Sequence, residues 1–393
     1  MNYKDILSQA ESLSDYTVSL RRHFHAHPEL SRAEFATRSK IIEELTRFGI
    51  DCAPIAGTGV IAAIRGEGEG RTLVLRADID ALPITEENTV PYKSRNDGVM
   101  HACGHDMHAA SLVTAARMIN SRRDGFSGTA YLVFQPGEED GYGGVLCAAD
   151  ERVRSADRVF GIHVAPDLEV GRIAAVPGAI MASVDMYRIE IEGRQSHISR
   201  PHLGVDAALI AAEILTSVKA IQAGMTNPWD AVLVGIGSIH AGTSYNILAG
   251  SAYLEGTVRA FSEESRERAK RALENIVHLT AEKYGGSARV VYDGPSPAVV
   301  NDREFTERVQ RVASELLGDD KVVTEREKSY GGDDFSFFQT AAPGTYAIVG
   351  SGDPGNPATC VPVHNSHFDA DERALTAASA LYTAVAMDYL GKK

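Results

Sequence analysis

Four apolar runs constrain the fold most: residues 59–64 (GVIAAI), 72–77 (TLVLRA), 130–135 (AYLVFQ) and 158–164 (RVFGIHV). Each has strand length, and segments with helical spacing separate them. Continuous apolar strands between helices predict an α/β sheet with helices on both faces. The runs also end in reactive side chains. The second leads into Asp78-Ile79-Asp80, the third into Pro136-Gly137-Glu138-Glu139, and the fourth carries His163 near its end. Open α/β sheets bind ligands at the carboxyl ends of their strands. Residues far apart in sequence are therefore expected to converge there.

The chain has 393 residues, more than one core usually serves. Two helices are expected to flank the turn at His27-Pro28, and another spans 109–119. Between 182 and 294 the pattern changes to strand 187–192, helix 205–223, strands 231–239 and 252–260, helix 263–284 and strand 288–292. This βαββαβ order is the ferredoxin-like arrangement. It predicts an inserted domain at 182–294 within a catalytic domain made of 1–181 and 295–393. Helix 303–318, strand 345–349 and helix 374–390 would complete that first domain.

A net charge of -14 argues against a nucleic-acid or anionic-membrane partner. No apolar run marks a signal peptide or reaches the length of a membrane span. Cys52, Cys103, Cys147 and Cys360 are too few for a disulfide scaffold in a chain this long. Together these point to a reducing, cytoplasmic location.

The stretch 101–108 (HACGHDMH) packs three histidines, a thiol and a carboxylate into eight residues. Cys103 and His105 suit zinc and neighbouring divalent ions. Two residues apart, they cannot share a helix face, and Gly104 permits an unusual backbone between them. Asp106 is expected to cap the helix that follows. The adjacent Glu138 and Glu139 are costly unless a cation or proton relieves them. One can ligate metal while the other takes a proton from water. His163 and His364 can complete such a site. His23, His25 and His27 are read as structural, and His101 and His108 as packing or supporting groups. Asp78 and Asp80 are read as strand-end polars or groups that orient a ligand histidine. Gly331-Gly332-Asp333-Asp334 is read as a tight turn, since it lacks the lysine of a phosphate loop.

At this point the chain resembles a known family. RRHFHAHPEL (21–30), LRADIDALP (75–83), MHACGHDMH (100–108), FQPGEE (134–139), GIHV (161–164), PHLGVDA (201–207), GTVRAF (256–261), GGDDFSFF (331–338) and HNSHFD (364–369) occur in its order. It is similar to the dinuclear metallo-amidohydrolases of the aminoacylase and glutamate-carboxypeptidase superfamily. The matching branch holds hippurate hydrolase, N-acyl-amino-acid amidohydrolases and indoleacetyl-amino-acid hydrolases. The resemblance implies Cys103, His105, Glu139, His163 and His364 as ligands of two divalent ions per subunit (Zn, Mn, Co or Ni). It implies Glu138 as general base and Asp80 as support for the metal site. His197, in the smaller domain, would polarise the scissile carbonyl, and Asn246 and Arg259 would hold substrate. The smaller domain would mediate a homodimer or homotetramer. The implied reaction is hydrolysis of an N-acyl amino acid to a carboxylate and a free amino acid. The rivals are a dipeptidase or carboxypeptidase on the same site, and a non-catalytic metal-binding protein. Ser196, Ile247-Leu248-Ala249 and Asp140-Gly141-Tyr142 depart from the family's usual residues, and they bear on substrate choice rather than on the ligands.

Overall fold

The computed structural model describes residues 2–227 and 229–392. Three helices open the chain: α1 (Tyr3–Ser12), α2 (Ser14–Ala26) and α3 (Phe35–Arg47). The stretch before His27-Pro28 is thus two helices, parted at Leu13. Strands β1 (Cys52–Ile55), β2 (Gly59–Arg65) and β3 (Thr72–Asp78) lead to α4 (His105–Asn120). Then come β4 (Thr129–Gln135), α5 (Gly143–Ala148), α6 (Glu151–Arg154), β5 (Arg158–Glu169), β6 (Ile173–Ala174) and β7 (Gly178–Met181). Next are β8 (Val184–Glu192), α7 (Ala207–Ser217), β9 (Val232–Ala241), β10 (Ser251–Ala260), α8 (Glu263–Lys283) and β11 (Ser287–Ser296). The chain finishes with β12 (Val299–Asn301), α9 (Arg303–Leu317), β13 (Val322–Val323), α10 (Phe335–Ala341), β14 (Gly344–Gly352) and α11 (Ala374–Leu390).

The structure divides into two units. The first holds the residues up to Gly178, Val300–Glu327 and everything from Asp334 onward. Its eight-stranded sheet runs β1-β2-β4-β3-β5-β14-β6-β13. The middle of that sheet is parallel: β3 pairs with β4 and β5, and β5 with β14. Both faces are covered, which explains the continuous apolar runs. Leu73, Leu75 and Ala77 join the core formed with α4 and α11. Arg76, on the opposite face by the two-residue strand period, lies over the rings of Phe335 and Tyr346. Register aligns the strand ends: Asp78 pairs with Gln135, and Arg76 with Gly161, two residues before His163.

The second unit holds Ala179–Val299 together with Lys328–Asp333. Its antiparallel sheet runs β11-β8-β10-β9, the ferredoxin-like order. In β8, Tyr187, Ile189 and Ile191 are buried in a core shared with α7 and α8, while Met186 and Arg188 face outward. The short segment 328–333 belongs here by hydrogen bonding: the Ala182 N–H donates to Ser329 and Gly331 carbonyls, and the Ser329 N–H to Ile180. Among the described residues, no helix is long and apolar enough to cross a membrane.

One expectation fails locally. Helix α4 starts at His105, inside the histidine cluster, and Gly104 stands at its N-cap in a left-handed backbone (φ 92°). Asp106 therefore caps nothing. Its Oδ2 instead accepts from Arg21 Nε at 2.7 Å and faces His25 Nδ1 at 2.8 Å. Arg21 is fully buried and also reaches Asp369 at 2.9 Å and Glu372 at 3.2 Å, with Tyr92 stacked 4.7 Å from its Cζ. His25, read as structural, completes the network through Glu86 at 3.2 Å. Burial alone would raise the Asp106 pKa, but Arg21 and His25 outweigh it and hold the carboxyl far below the usual range. Replacing Arg21 with Met strands a buried carboxylate. The expected loss is about 3–5 kcal/mol in urea unfolding at pH 7. A carboxyl with a depressed folded pKa stabilises above its unfolded pKa and loses that contribution as the pH falls. The deficit should therefore shrink below about pH 4, and adding Asp106→Asn should recover part of it.

Candidate metal centre

Every proposed ligand and the proposed base lie in the first unit. Cys103 sits in the loop before α4, and His105 opens the helix. Gly104 between them is required twice over: its φ is positive, and a Cβ there would meet Val164 Cγ2 at 2.4 Å. Glu138 and Glu139 follow β4 in a tight loop in which the Gly141 N–H donates to the Glu138 carbonyl at 2.9 Å. His163 is carried by β5. His364 stands in a left-handed backbone (φ 62°), tied by its N–H to the Ala102 carbonyl at 2.7 Å. A non-glycine residue in that region is strained unless its surroundings fix it.

The donor atoms converge in overlapping groups, each within 4.8 Å: Cys103, His105 and His163; Cys103, Glu139 and His364; and His105, Glu138 and Glu139. Cys103 belongs to the first two, with Sγ 3.4 Å from His163 Nε2. Glu139 Oε1 lies 3.4 Å from His364 Nε2 and 3.9 Å from His105 Nε2. Both His105 Nε2 and Glu139 Oε1 are buried without a hydrogen-bond partner. Buried polar atoms are normally paired, and here two unpaired ones face each other among further nitrogen, sulfur and oxygen donors. The residues fit divalent ions of the zinc type.

Asp80 organises this arrangement. The His105 Nδ1 bonds the Asp80 carbonyl at 2.9 Å and its Oδ1 at 3.2 Å. Asp80 Oδ2 accepts from the Glu139 N–H at 3.0 Å and from Ser31 Oγ at 2.7 Å. A histidine whose second nitrogen is held this way presents Nε2 to a metal in one orientation. Nearby, buried Glu34 accepts from the Gly137 N–H at 2.8 Å and so steadies the turn before the two glutamates. Burial pushes the Cys103 thiol well up, and the charges of Glu139 and Glu138 act the same way. Burial would lower His105, yet Asp78 and Cys103 raise it well above its ordinary value. Asp80 is held low: burial opposes this, but the bond to His105 prevails. These shifts describe a buried site whose negative groups call for positive charge.

His197, Asn246 and Arg259 lie in the second unit. His197 bridges to Ile247, and the Ile198 N–H donates to the Asn246 carbonyl at 3.0 Å, so the first two are neighbours. Arg259 is at the far end of β10, its Nη1 3.3 Å from the Tyr330 carbonyl. Eight residues separate Ser251 from Arg259, about 26 Å of strand at ~3.3 Å each.

Some supporting residues escape the sequence reading. Arg76 is fully buried; it donates to Asp78 at 2.6 Å, Gln135 at 2.8 Å and Asp334 at 3.0 Å. Asp334, read as part of a turn, also takes the Gly144 N–H at 2.6 Å. The available signal was an arginine inside an otherwise apolar central strand. His101 is buried with its pKa pushed down to about 4 by burial, in keeping with a neutral packing role.

The sequence profile of Peptidase family M20/M25/M40 matches residues 74–388. An N-acetyl-L-cysteine deacetylase of Bacillus subtilis is 35% identical over 369 residues, covering 94% of this chain and 86% of its own length. Thermostable carboxypeptidase 2 of Saccharolobus solfataricus is 35% identical over 391 residues, covering 98% of each. A solved Bacillus subtilis structure described as a dinuclear metal binding peptidase superposes with a TM-score of 0.85 at 33% identity, covering 97% of this chain and 99% of the other. With its sheet, its inserted ferredoxin-like unit and its converging donors, this chain belongs to peptidase family M20/M25/M40.

Proposed function

We propose that this protein is a metal-dependent amidohydrolase that cleaves N-acyl amino acids to a carboxylate and a free amino acid. The observation that carries the reading is the pair of buried, unpartnered atoms, His105 Nε2 and Glu139 Oε1, facing Cys103, His364 and Glu138. Cys103, His105, Glu139, His163 and His364 would hold two divalent ions (Zn, Mn, Co or Ni), with Asp80 orienting His105. Bound there, such ions make water more acidic and polarise a carbonyl. Glu138 takes the proton of the attacking water and returns it to the departing amine.

The second unit supplies the other groups. The Ser199 N–H donates to His197 Nδ1 at 3.1 Å. In the neutral ring the proton is then on Nε2, the tautomer that donates to a substrate carbonyl oxygen. The Arg259 guanidinium suits a substrate carboxylate by bidentate pairing, and Asn246 adds an amide. The length of β10 keeps His197 and Asn246 too far from Arg259 for one small substrate to touch both in one chain. This favours a homodimer or homotetramer in which a second copy lends His197. Four unpaired cysteines fit a reducing, cytoplasmic compartment. The carboxypeptidase relative supports one further reading, cleavage of unblocked peptides at the same centre.

These assignments have distinct tests. Zn²⁺ or Mn²⁺ added to chelator-stripped protein should stabilise it in thermal unfolding, by about 2.7 kcal/mol at roughly a hundredfold excess over Kd. No shift with any of the four metals would remove the metal centre. Glu138→Gln should retain metal and lose about 100- to 10,000-fold in amine release from N-acetyl and N-benzoyl amino acids. Full activity would exclude Glu138 as base, and faster cleavage of free dipeptides by the unaltered protein would move it to the peptidases. Co-expressed His197→Ala and Glu138→Gln chains, each inactive alone, should together recover about a quarter of normal activity. Half of randomly paired dimers are mixed, and each of these has one complete site. No recovery would place His197 in its own chain's site.

A further inference from the structure

We propose that His108 is a positioning residue: clamped between Asp78 and the Val164 peptide, it sets the ring of His163 toward Cys103. The inference rests on the metal-centre reading above. His108 is fully buried on α4, one turn after His105. Its Nδ1 is 2.5 Å from Asp78 Oδ1, and its Nε2 accepts the Val164 N–H at 2.9 Å. A backbone N–H can only donate, so Nε2 carries no proton and the ring proton is on Nδ1, given to Asp78. Both nitrogens are committed. The donor atoms of Asp78, His105 and His108 lie within 4.8 Å of one another, yet His108 has no lone pair left for a cation. That cluster is a brace beside the metal centre.

The brace acts through one residue. Val164 gives its N–H to His108 and takes the His163 Nδ1–H on its carbonyl at 2.6 Å. The second bond points His163 Nε2 at Cys103 Sγ, 3.4 Å away. The His108 and His163 rings also meet edge to face, 4.7 Å between centroids. Behind His108, Asp78 is immobilised by Arg76, whose other nitrogens reach Gln135 and Asp334. Without an acceptor at His108, the buried Val164 N–H must turn to find another, and its peptide carries the carbonyl that orients His163.

Two near-isosteric substitutions separate the two bonds of His108. His108→Gln sets an amide oxygen near the position of Nε2 and keeps the Val164 bond. His108→Asn sets its amide near Nδ1 and keeps only the Asp78 bond. Zn²⁺ affinity and stoichiometry are read by equilibrium dialysis, and the thiolate-to-cobalt absorption band is read after loading Co²⁺. The Asn variant should bind about 10- to 100-fold more weakly, with a weakened or shifted cobalt band. The Gln variant should stay close to the unaltered protein in both. The chelator-stripped variants should unfold at similar midpoints, which confines their difference to the ion. Unaltered binding in the Asn variant, or equal losses in both, would overturn the inference. Should the Asn variant not fold, His108→Met, which fills the space without an acceptor, should show the same loss and overturns the inference if it binds normally. An unaltered protein that binds neither ion overturns the metal-centre reading itself, and this inference with it.

Discussion

Buried negative charge at the carboxyl ends of parallel strands is the constraint around which the first unit is organised. Asp78 ends β3 and Asp80 lies just beyond it, while Glu138 and Glu139 follow β4. Charges so placed persist only when paired and hydrogen-bonded. Asp78 is held by Arg76 and His108, Asp80 by His105 and Ser31, and Asp106 on α4 by Arg21 and His25. Glu139 Oε1 and His105 Nε2 are buried without a hydrogen bond, and they lie 3.9 Å apart among the other candidate donors.

Much of this was legible in the sequence because strand ends are legible. An apolar run stops where the sheet stops, so Asp78, Gln135 and the residues after them could be placed on one edge before any coordinates. The alternation of Tyr187, Ile189 and Ile191 likewise marked a half-covered strand and, with its neighbours, the ferredoxin-like order. What was not legible depended on partners far away in the chain. Arg21 is buried because Asp106, Asp369 and Glu372 surround it, and no local pattern announces that. Asp106 has the position of a helix cap by sequence, but it went to the strongest partner within reach, a buried guanidinium. Residues 331–334 read as a tight turn within the first domain, yet the backbone of Ser329 and Gly331 pairs with the start of the second unit.

The same distinction separates the two sets of candidate site residues. Among the proposed groups, Glu138, Glu139 and His163 are set by one sheet edge, and Cys103, His105 and His364 reach it from the start of α4 and from a loop. His197, Asn246 and Arg259 are fixed by the two ends of another sheet, and no sequence motif states their separation. That separation is a property of strand length.

β10 therefore behaves as a ruler. One residue added to it advances everything beyond by about 3.3 Å and turns those side chains to the opposite face. Between β9 and β10 there is an irregularity of this kind: Glu255 pairs with Ser238 while Gly256 pairs with Ile236, which leaves Gly237 as the extra residue in β9. Gly235 and Gly237 both have open space where a side chain would stand, so the step is absorbed in the edge strand and β10 keeps its span. Loops of this unit can drift in length without moving either end of the ruler; the strand itself cannot.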